Sequence, residues 1–301
     1  MTAITAPPPP AATSEAAARA ARRRRRAPYL LLAPGLLWLV AFYVVPLTQL
    51  LRTSLQTGTL ETGYRFTWEW SNYAEVFTTY RGQFLRSLGY ASAATLITLV
   101  IAYPLAYTIA FRGGRYKNLF LVLLLMPLLT PFLLRTLAWR IILADQGVVV
   151  EALKSIGFLP SNGRLLATGW AVVAGIVYNF LPFMALPIYV SLEKIERNLL
   201  EAANDLYATP ATSFWKVTWP LSLPGVISGT LLTLIPAAGD YVNVSLLGNP
   251  QQAMMGNVIQ NKFLSILDYP AAAAISVTLM AAIVLLVIFY VRSVGTEELA
   301  G

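Results

Sequence analysis

The 301-residue chain contains no cysteine and no histidine. Disulfides, thiol nucleophiles, imidazole acid–base chemistry and the common zinc sites are therefore excluded. Charge is also scarce: 12% of residues are Asp, Glu, Lys or Arg, against about 25% in soluble domains. Hydrophobic residues make up 57% of the chain, and the mean hydropathy is +0.62. That leaves too little polar surface to cover a water-soluble globule. No Gly-x-x-x-x-Gly-Lys-Ser/Thr segment occurs, so the chain lacks that way of cradling nucleotide phosphates. No group of carboxylates has metal-ligand or acid–base spacing, and catalysis within the chain is not expected.

Long apolar runs are what the chain has instead. Crossing a bilayer as a helix takes about 20 predominantly apolar residues. Six segments qualify: 29–51, 85–111, 118–139, 166–190, 221–247 and 271–291. The pattern predicts an all-α polytopic membrane protein with six transmembrane helices over residues 29–291, between tails at 1–28 and 292–301. Pro236, Gly239 and Asp240 interrupt the fifth run. Such interruptions are tolerated where protein or a water-lined cavity satisfies the backbone, so this run is expected beside a pathway.

Basic residues set the orientation. With the N-terminus inside, Arg19, Arg22 to Arg26, Arg112, Arg115, Lys117, Lys194, Arg197, Lys216 and Arg292 share the inner side, and fewer lie outside. Both termini and the loop 191–220 are then cytoplasmic. The formal net charge of +8 reads as membrane orientation, and nucleic acid is not an expected partner. The Pro/Ala-rich and then arginine-rich start reads as a disordered tail. Its Arg22–Arg26 run suits anionic lipid headgroups before a signal-peptide n-region or nucleic acid. The first apolar run exceeds a secretory h-region and is taken as an uncleaved helix. In the loop 53–83, Trp68, Trp70, Tyr73 and Phe77 are either headgroup anchors or a substrate surface.

The segment 191–220 is the most organised polar stretch. Leu192, Ile195, Leu199 and the Ala202/Ala203 pair recur at helical spacing opposite Glu193, Glu196, Arg197 and Asn198, which predicts an amphipathic helix running out of the fourth span. Tyr207-Ala208-Thr209-Pro210 ends it, and Thr209 or Ser213 caps a short second helix from which Phe214 and Trp215 project beside Lys216. An exposed aromatic pair next to a cation suits an interface anchor; a helical hairpin lying flat on the membrane is the alternative. Gly113-Gly114 reads as a tight cytoplasmic turn.

This segment resembles the cytoplasmic signature loop of ABC importer permeases. Glu201-Ala202-Ala203 match, Val217, Trp219-Pro220 and Leu223-Pro224 follow in the expected region, and Tyr207 stands where the family has glycine. The resemblance extends over the chain from Tyr29. It is greatest to the first permease subunit of spermidine/putrescine importers, on Phe180-Leu181-Pro182-Phe183-Met184, Gly256-Asn257-Val258-Ile259 with Phe263-Leu264, and Asp268-Tyr269-Pro270. It implies the type I importer permease fold in a bacterial cytoplasmic (inner) membrane. The implied partners are two ATP-binding subunits, a second permease and an extracytoplasmic substrate-binding protein, besides membrane lipid. ATP and magnesium would be bound by the ATPase subunits, with no cofactor in this chain. The docking residues it implies are Glu201, Ala202, Ala203, Asp205, Tyr207, Phe214 and Trp215.

Ionisable residues inside spans face protein or water, which singles out Arg135 and Asp240 as pathway candidates. Asp240 would meet a polycation, with Tyr241 adding cation–π attraction, or both charges would pair with groups of a partner subunit. Asp145, Asp268 and Glu75 are candidates for an acidic mouth. Two other readings remain: the same architecture importing a sugar, phosphodiester or organic anion, and a stand-alone secondary transporter or channel. Internal repeats would mark the last, and none is visible.

Overall fold

The structure, a computed structural model, describes residues 31–294. The arginine-rich tail and the end of the C-terminal tail lie outside the described residues. The chain divides into two units, Met1–Arg52 and Thr53–Gly301. Helix α1 (Leu31–Ser54), almost all of it in the first unit, is long and apolar enough to cross a membrane. Its wide π turn at Val40–Val44 directly precedes the pair Val45-Pro46, where proline has no N–H for the helical ladder.

The second unit opens with a small antiparallel hairpin, β1 (Gln56–Thr57) and β2 (Arg65–Phe66), with Gln56 opposite Phe66. Helix α2 (Ser71–Thr78) follows, then the membrane helix α3 (Arg81–Arg112). Next come α4 (Gly114–Leu129) and α5 (Phe132–Ile142), bent 94° to one another, and the short α6 (Val148–Ser155). Helix α7 (Gly169–Glu193) crosses back. The remaining elements are α8 (Arg197–Asp205), α9 (Pro210–Ala238), α10 (Val242–Leu247), α11 (Met255–Gln260) and α12 (Tyr269–Val294).

Two expected spans are corrected. The third is not one straight helix: Thr130 is extended (φ −95°, ψ 134°) and Pro131 likewise (ψ 138°). A residue before proline is pushed out of the α region, so Thr130-Pro131 divides the run. The fifth does not continue to Leu247. Helix α9 stops at Ala238, and Gly239, Asp240 and Tyr241 separate it from α10. It also begins earlier than expected, at Pro210, so the expected short second helix of the polar segment is the first turn of the membrane helix itself.

Helices α3, α7 and α9 form the centre of the second unit. Ala91, Ala94, Ala102 and Ala106 of α3 are fully buried. On α9, Gly225 and Gly229 form a Gly-x-x-x-Gly step against α7. A Cβ on Gly225 would lie 2.4 Å from the Pro187 carbonyl oxygen, and one on Gly229 would lie 2.8 Å from that of Met184. Lipid is as apolar as leucine, so membrane helices associate through close packing of this kind. Val100, Leu123, Ile141, Leu285 and Phe289 point outward and exposed, as suits an acyl-chain solvent. Gly225→Val should therefore cost about 1–3 kcal/mol through overpacking, read as a lower thermal midpoint and folded yield in detergent. Gly89→Ala, with open space at its Cβ, should be neutral or slightly stabilising.

Candidate functional site

Two places bring the sequence candidates together: the polar corner between α7 and α9, and the break after α9. At the corner, α7 ends at Glu193, Glu196 is extended (ψ 131°), and α8 begins afresh at Arg197. The expected continuous amphipathic helix is thus two pieces. Leu192 and Ile195 stay buried with α7, and Leu199 is exposed. Glu201, Ala202 and Asp205 are exposed on α8 and Ala203 is half-buried.

Helix α8 closes with a Schellman turn. The Tyr207 N–H donates to the Asn204 carbonyl (2.9 Å) and the Ala208 N–H to the Ala203 carbonyl (3.1 Å), the paired bonds that define that cap. The cap puts Tyr207 in the left-handed region at φ 59°, the conformation a glycine takes at no steric cost. The departure from glycine therefore leaves the turn intact and places the strain on Tyr207. Next, the Thr209 hydroxyl accepts from the Thr212 N–H (3.2 Å), with Pro210 as the first helical residue. Proline suits that position because its absent N–H has no helical partner there anyway.

Phe214 and Trp215 separate in role. Trp215 is 63% exposed. Phe214 does not project: it packs edge-on to Tyr103 at 5.7 Å and Tyr107 at 6.2 Å, both on α3. The expectation that it projects is corrected: the wide turn Phe214–Thr218 at the foot of α9 turns it toward α3. Tyr103 in turn hydrogen-bonds Ser222 of α9 (2.8 Å). The corner is thereby keyed to α3 as well as α9. Nearby, Lys117 ion-pairs with Glu193, tying the start of α4 to the end of α7. Gly113 and Gly114 do form the turn between α3 and α4, with Gly114 at φ 48°.

At the break, Asp240 is 7% exposed, and its carboxylate is already engaged. Oδ1 accepts from the Asn243 backbone N–H (3.0 Å) and Oδ2 from Asn243 Nδ2 (2.5 Å). Asn243 Oδ1 accepts from Asn179 Nδ2 (3.2 Å), which is also 3.2 Å from Thr136 Oγ1. Asp240, α10, α7 and α5 are thus joined by one buried polar chain. Both oxygens of Asp240 thus accept from Asn243 of its own chain, a partner that neither expectation for Asp240 named. Tyr241 is half-exposed, and its carbonyl accepts from Asn257 Nδ2 (3.0 Å) and Ser245 Oγ (2.7 Å). Arg135 is 8% exposed, lies over the Phe132 ring at 5.8 Å, and has Nε and Nη1 buried without an acceptor.

Residues 99–294 match the family described as the binding-protein-dependent transport system inner membrane component. The chain belongs to that family. It is 36% identical over 257 residues to the spermidine/putrescine transport system permease protein PotB of Haemophilus influenzae, covering 85% of this chain and 90% of that one. Identity to PotB of Escherichia coli is also 36%, over 85% of this chain and 94% of the relative. A bacterial alginate ABC transporter, solved in complex with an alginate pentasaccharide-bound periplasmic protein, superposes with TM-score 0.65 at 17% identity, over 89% of this chain and 94% of that one; that likeness concerns the fold. The chain is thus a non-catalytic permease subunit of the inner membrane, with the ABC importer permease fold.

Not every expected residue serves the permease's sites as anticipated. The acidic mouth is neutralised from within: Asp145 pairs with Arg164 at 3.0 Å, and Asp268 and Glu75 lie 2.9 and 4.0 Å from Lys262. Burial alone would lower the Lys262 pKa, but the hydrogen bond and charge of Asp268, with Tyr80 and Glu75, raise it above the ordinary lysine value. This contribution is complete below the ordinary lysine range and lost only as pH rises through the raised value. Trp68, Trp70 and Phe77 are exposed, whereas the Tyr73 hydroxyl is 2.5 Å from Ser54 Oγ. No group of His, Cys, Asp and Glu suited to a metal occurs among the described residues. Asn179, Thr136, Asn243, Tyr103 and Ser222 were missed, although lone amides in apolar runs mark buried polar contacts.

Asn243→Ala should destabilise the permease by about 1–3 kcal/mol, because a buried carboxylate loses a donor. Adding Asp240→Ala should recover part of that loss, with a coupling of about 0.5–3 kcal/mol in a double-mutant cycle on thermal unfolding in detergent.

Proposed function

We propose that this permease forms half of the translocation pathway of an ATP-driven importer for polyamines of the spermidine/putrescine class. Its partners are two ATP-binding subunits, which hold the ATP and magnesium, a second permease and an extracytoplasmic substrate-binding protein. The polar corner faces the cytoplasm, as do both termini. The supporting observation is the corner itself: an exposed helix, α8, joined through a rigid cap to the first turn of a membrane helix. Identity to the PotB permeases over most of both chains supports the polyamine cargo.

The coupling follows from the connections. ATP-driven closure moves α8, the Schellman turn and the capped Thr209-Pro210 step pass that displacement to α9, and Phe214 against Tyr103 and Tyr107 carries it to α3. A ligand shifts such an equilibrium only by binding the two states differently, so nucleotide must favour one arrangement of the corner. Glu201, Ala202, Ala203, Asp205, Tyr207 and Trp215 make the docking face. In the pathway half, Tyr241 offers a ring to a cation. Asp240 holds the break beside it, and Arg135 takes its acceptor from the second permease.

Glu201→Lys and Ala203→Asp, at wild-type protein levels in membranes, should each lower uptake of labelled spermidine or putrescine by roughly tenfold or more, the scale of an ~1.4 kcal/mol loss of docking. Stimulated ATP hydrolysis should fall in parallel. Normal uptake by both variants would remove the docking assignment. A partner binding protein that retains a sugar or an anion and no polyamine would overturn the cargo.

A further inference from the structure

We propose that Tyr207 is a specificity-determining contact for the ATP-binding subunit: its ring fills an apolar slot with a basic rim on that partner. The proposal rests on the docking reading above and extends it to one side chain. The backbone supplies the first reason. A non-glycine residue in the left-handed region is sterically strained, and tyrosine lacks the short polar side chain with which asparagine relieves it. Yet Tyr207 sits there at φ 59°, held by both bonds of the Schellman turn.

Nothing within the described chain offsets that cost. Tyr207 is 96% exposed and makes no ring contact or side-chain hydrogen bond with the described residues. Leu206 beside it is 81% exposed. The pair forms an apolar knob on a rigid cap, closed on its far side by the Thr209 cap and Pro210. A tyrosine fixed this way binds at low entropic cost, and tyrosine is enriched among residues that dominate interfaces.

Charge selects protein over lipid as the occupant. Around the knob, Glu201 and Asp205 are exposed and the last turn of α8 has no basic residue. Binding to an anionic cytoplasmic leaflet draws on Lys and Arg beside the surface; along the chain the charges nearest the knob are acidic, with Arg197 at the far end of α8 and Lys216 on α9. A protein slot rimmed by Lys or Arg matches both the ring and the carboxylates.

The test uses the assembled transporter, purified from membranes with its ATP-binding subunits, carrying Tyr207→Gly, Tyr207→Phe or Glu201→Lys. Tyr207→Gly should fold as well as the wild type or better, since the strain is relieved, yet bind the ATP-binding subunit roughly tenfold or more weakly and lose coupled hydrolysis. Tyr207→Phe should retain most of the binding. If Tyr207→Gly holds the ATP-binding subunit as tightly as the wild type while Glu201→Lys releases it, Tyr207 is a membrane-surface or idle residue, and the proposal falls with docking intact. If Glu201→Lys also leaves binding unchanged, the docking reading itself has failed.

Discussion

In hydrocarbon there is no water to satisfy a peptide group released from a helix, and the arrangement around the breaks in this permease follows from that constraint. Helices are broken at Thr130-Pro131 and at Gly239–Tyr241. The buried polar chain from Asp240 through Asn243 and Asn179 to Thr136 spans the pieces those breaks create, joining α5 and α10 to the unbroken α7. An amide or carboxylate in an apolar run is costly alone. In this cluster the groups largely satisfy one another, and their cost becomes a clamp. Asn179 Oδ1 is left without a donor, and on α5 Arg135 has two buried N–H groups without an acceptor. An isolated subunit leaves that cost standing; the second permease of the proposed assembly would supply the acceptor.

The opposite end of α9 uses a different means of rigidity. Caps and rings supply most of it there, beside the Tyr103–Ser222 hydrogen bond and the Lys117–Glu193 ion pair. Backbone bonds close α8, a threonine and a proline open α9, and the rings of Phe214, Tyr103 and Trp219 lie within 6.4 Å of one another. The close approach at Gly225 and Gly229 then prevents α9 from sliding on α7 without a discrete rearrangement. Packed interfaces of this sort are bistable rather than continuously deformable. Under the proposed coupling, a displacement at the corner would be transmitted as a switch.

The sequence revealed some of this directly and some only by analogy. The apolar runs and the polar insert were legible because lipid imposes composition over stretches of about 20 residues. Thr209 was legible as a cap because capping is local. The break in the fifth run falls at Gly239–Tyr241 with Pro236 still inside α9, whereas the bend at Thr130-Pro131 does carry a proline signal, which the strong hydropathy of its surroundings hid. Phe214 was misread because a wide turn of one extra residue rotates everything before it, and no residue type announces such a turn. The partner of Asp240 lay three residues away, yet whether an aspartate caps its own helix or faces a cavity depends on tertiary surroundings. Tyr207 showed the reverse. Its residue type argued against the left-handed turn, and the surrounding cap imposed the turn nonetheless.

The placement of charge limits how this subunit can handle a polycation. In the membrane-crossing helices of the described residues the only carboxylate is Glu193, at the end of α7, and it is paired with Lys117. Asp240 lies just past α9 with both oxygens engaged. A free carboxylate in the pathway would bind a polyamine tightly and slow its release, since conduction requires sites weak enough to leave. The half-exposed Tyr241 ring beside the break after α9 would offer a cation a weaker contact instead. Under the proposed function, affinity would belong to the extracytoplasmic binding protein and direction to the nucleotide-driven coupling at the α8–α9 corner. On that proposal the permease would need to bind its cargo only weakly, and its most specific chemistry would lie in the α8–α9 corner.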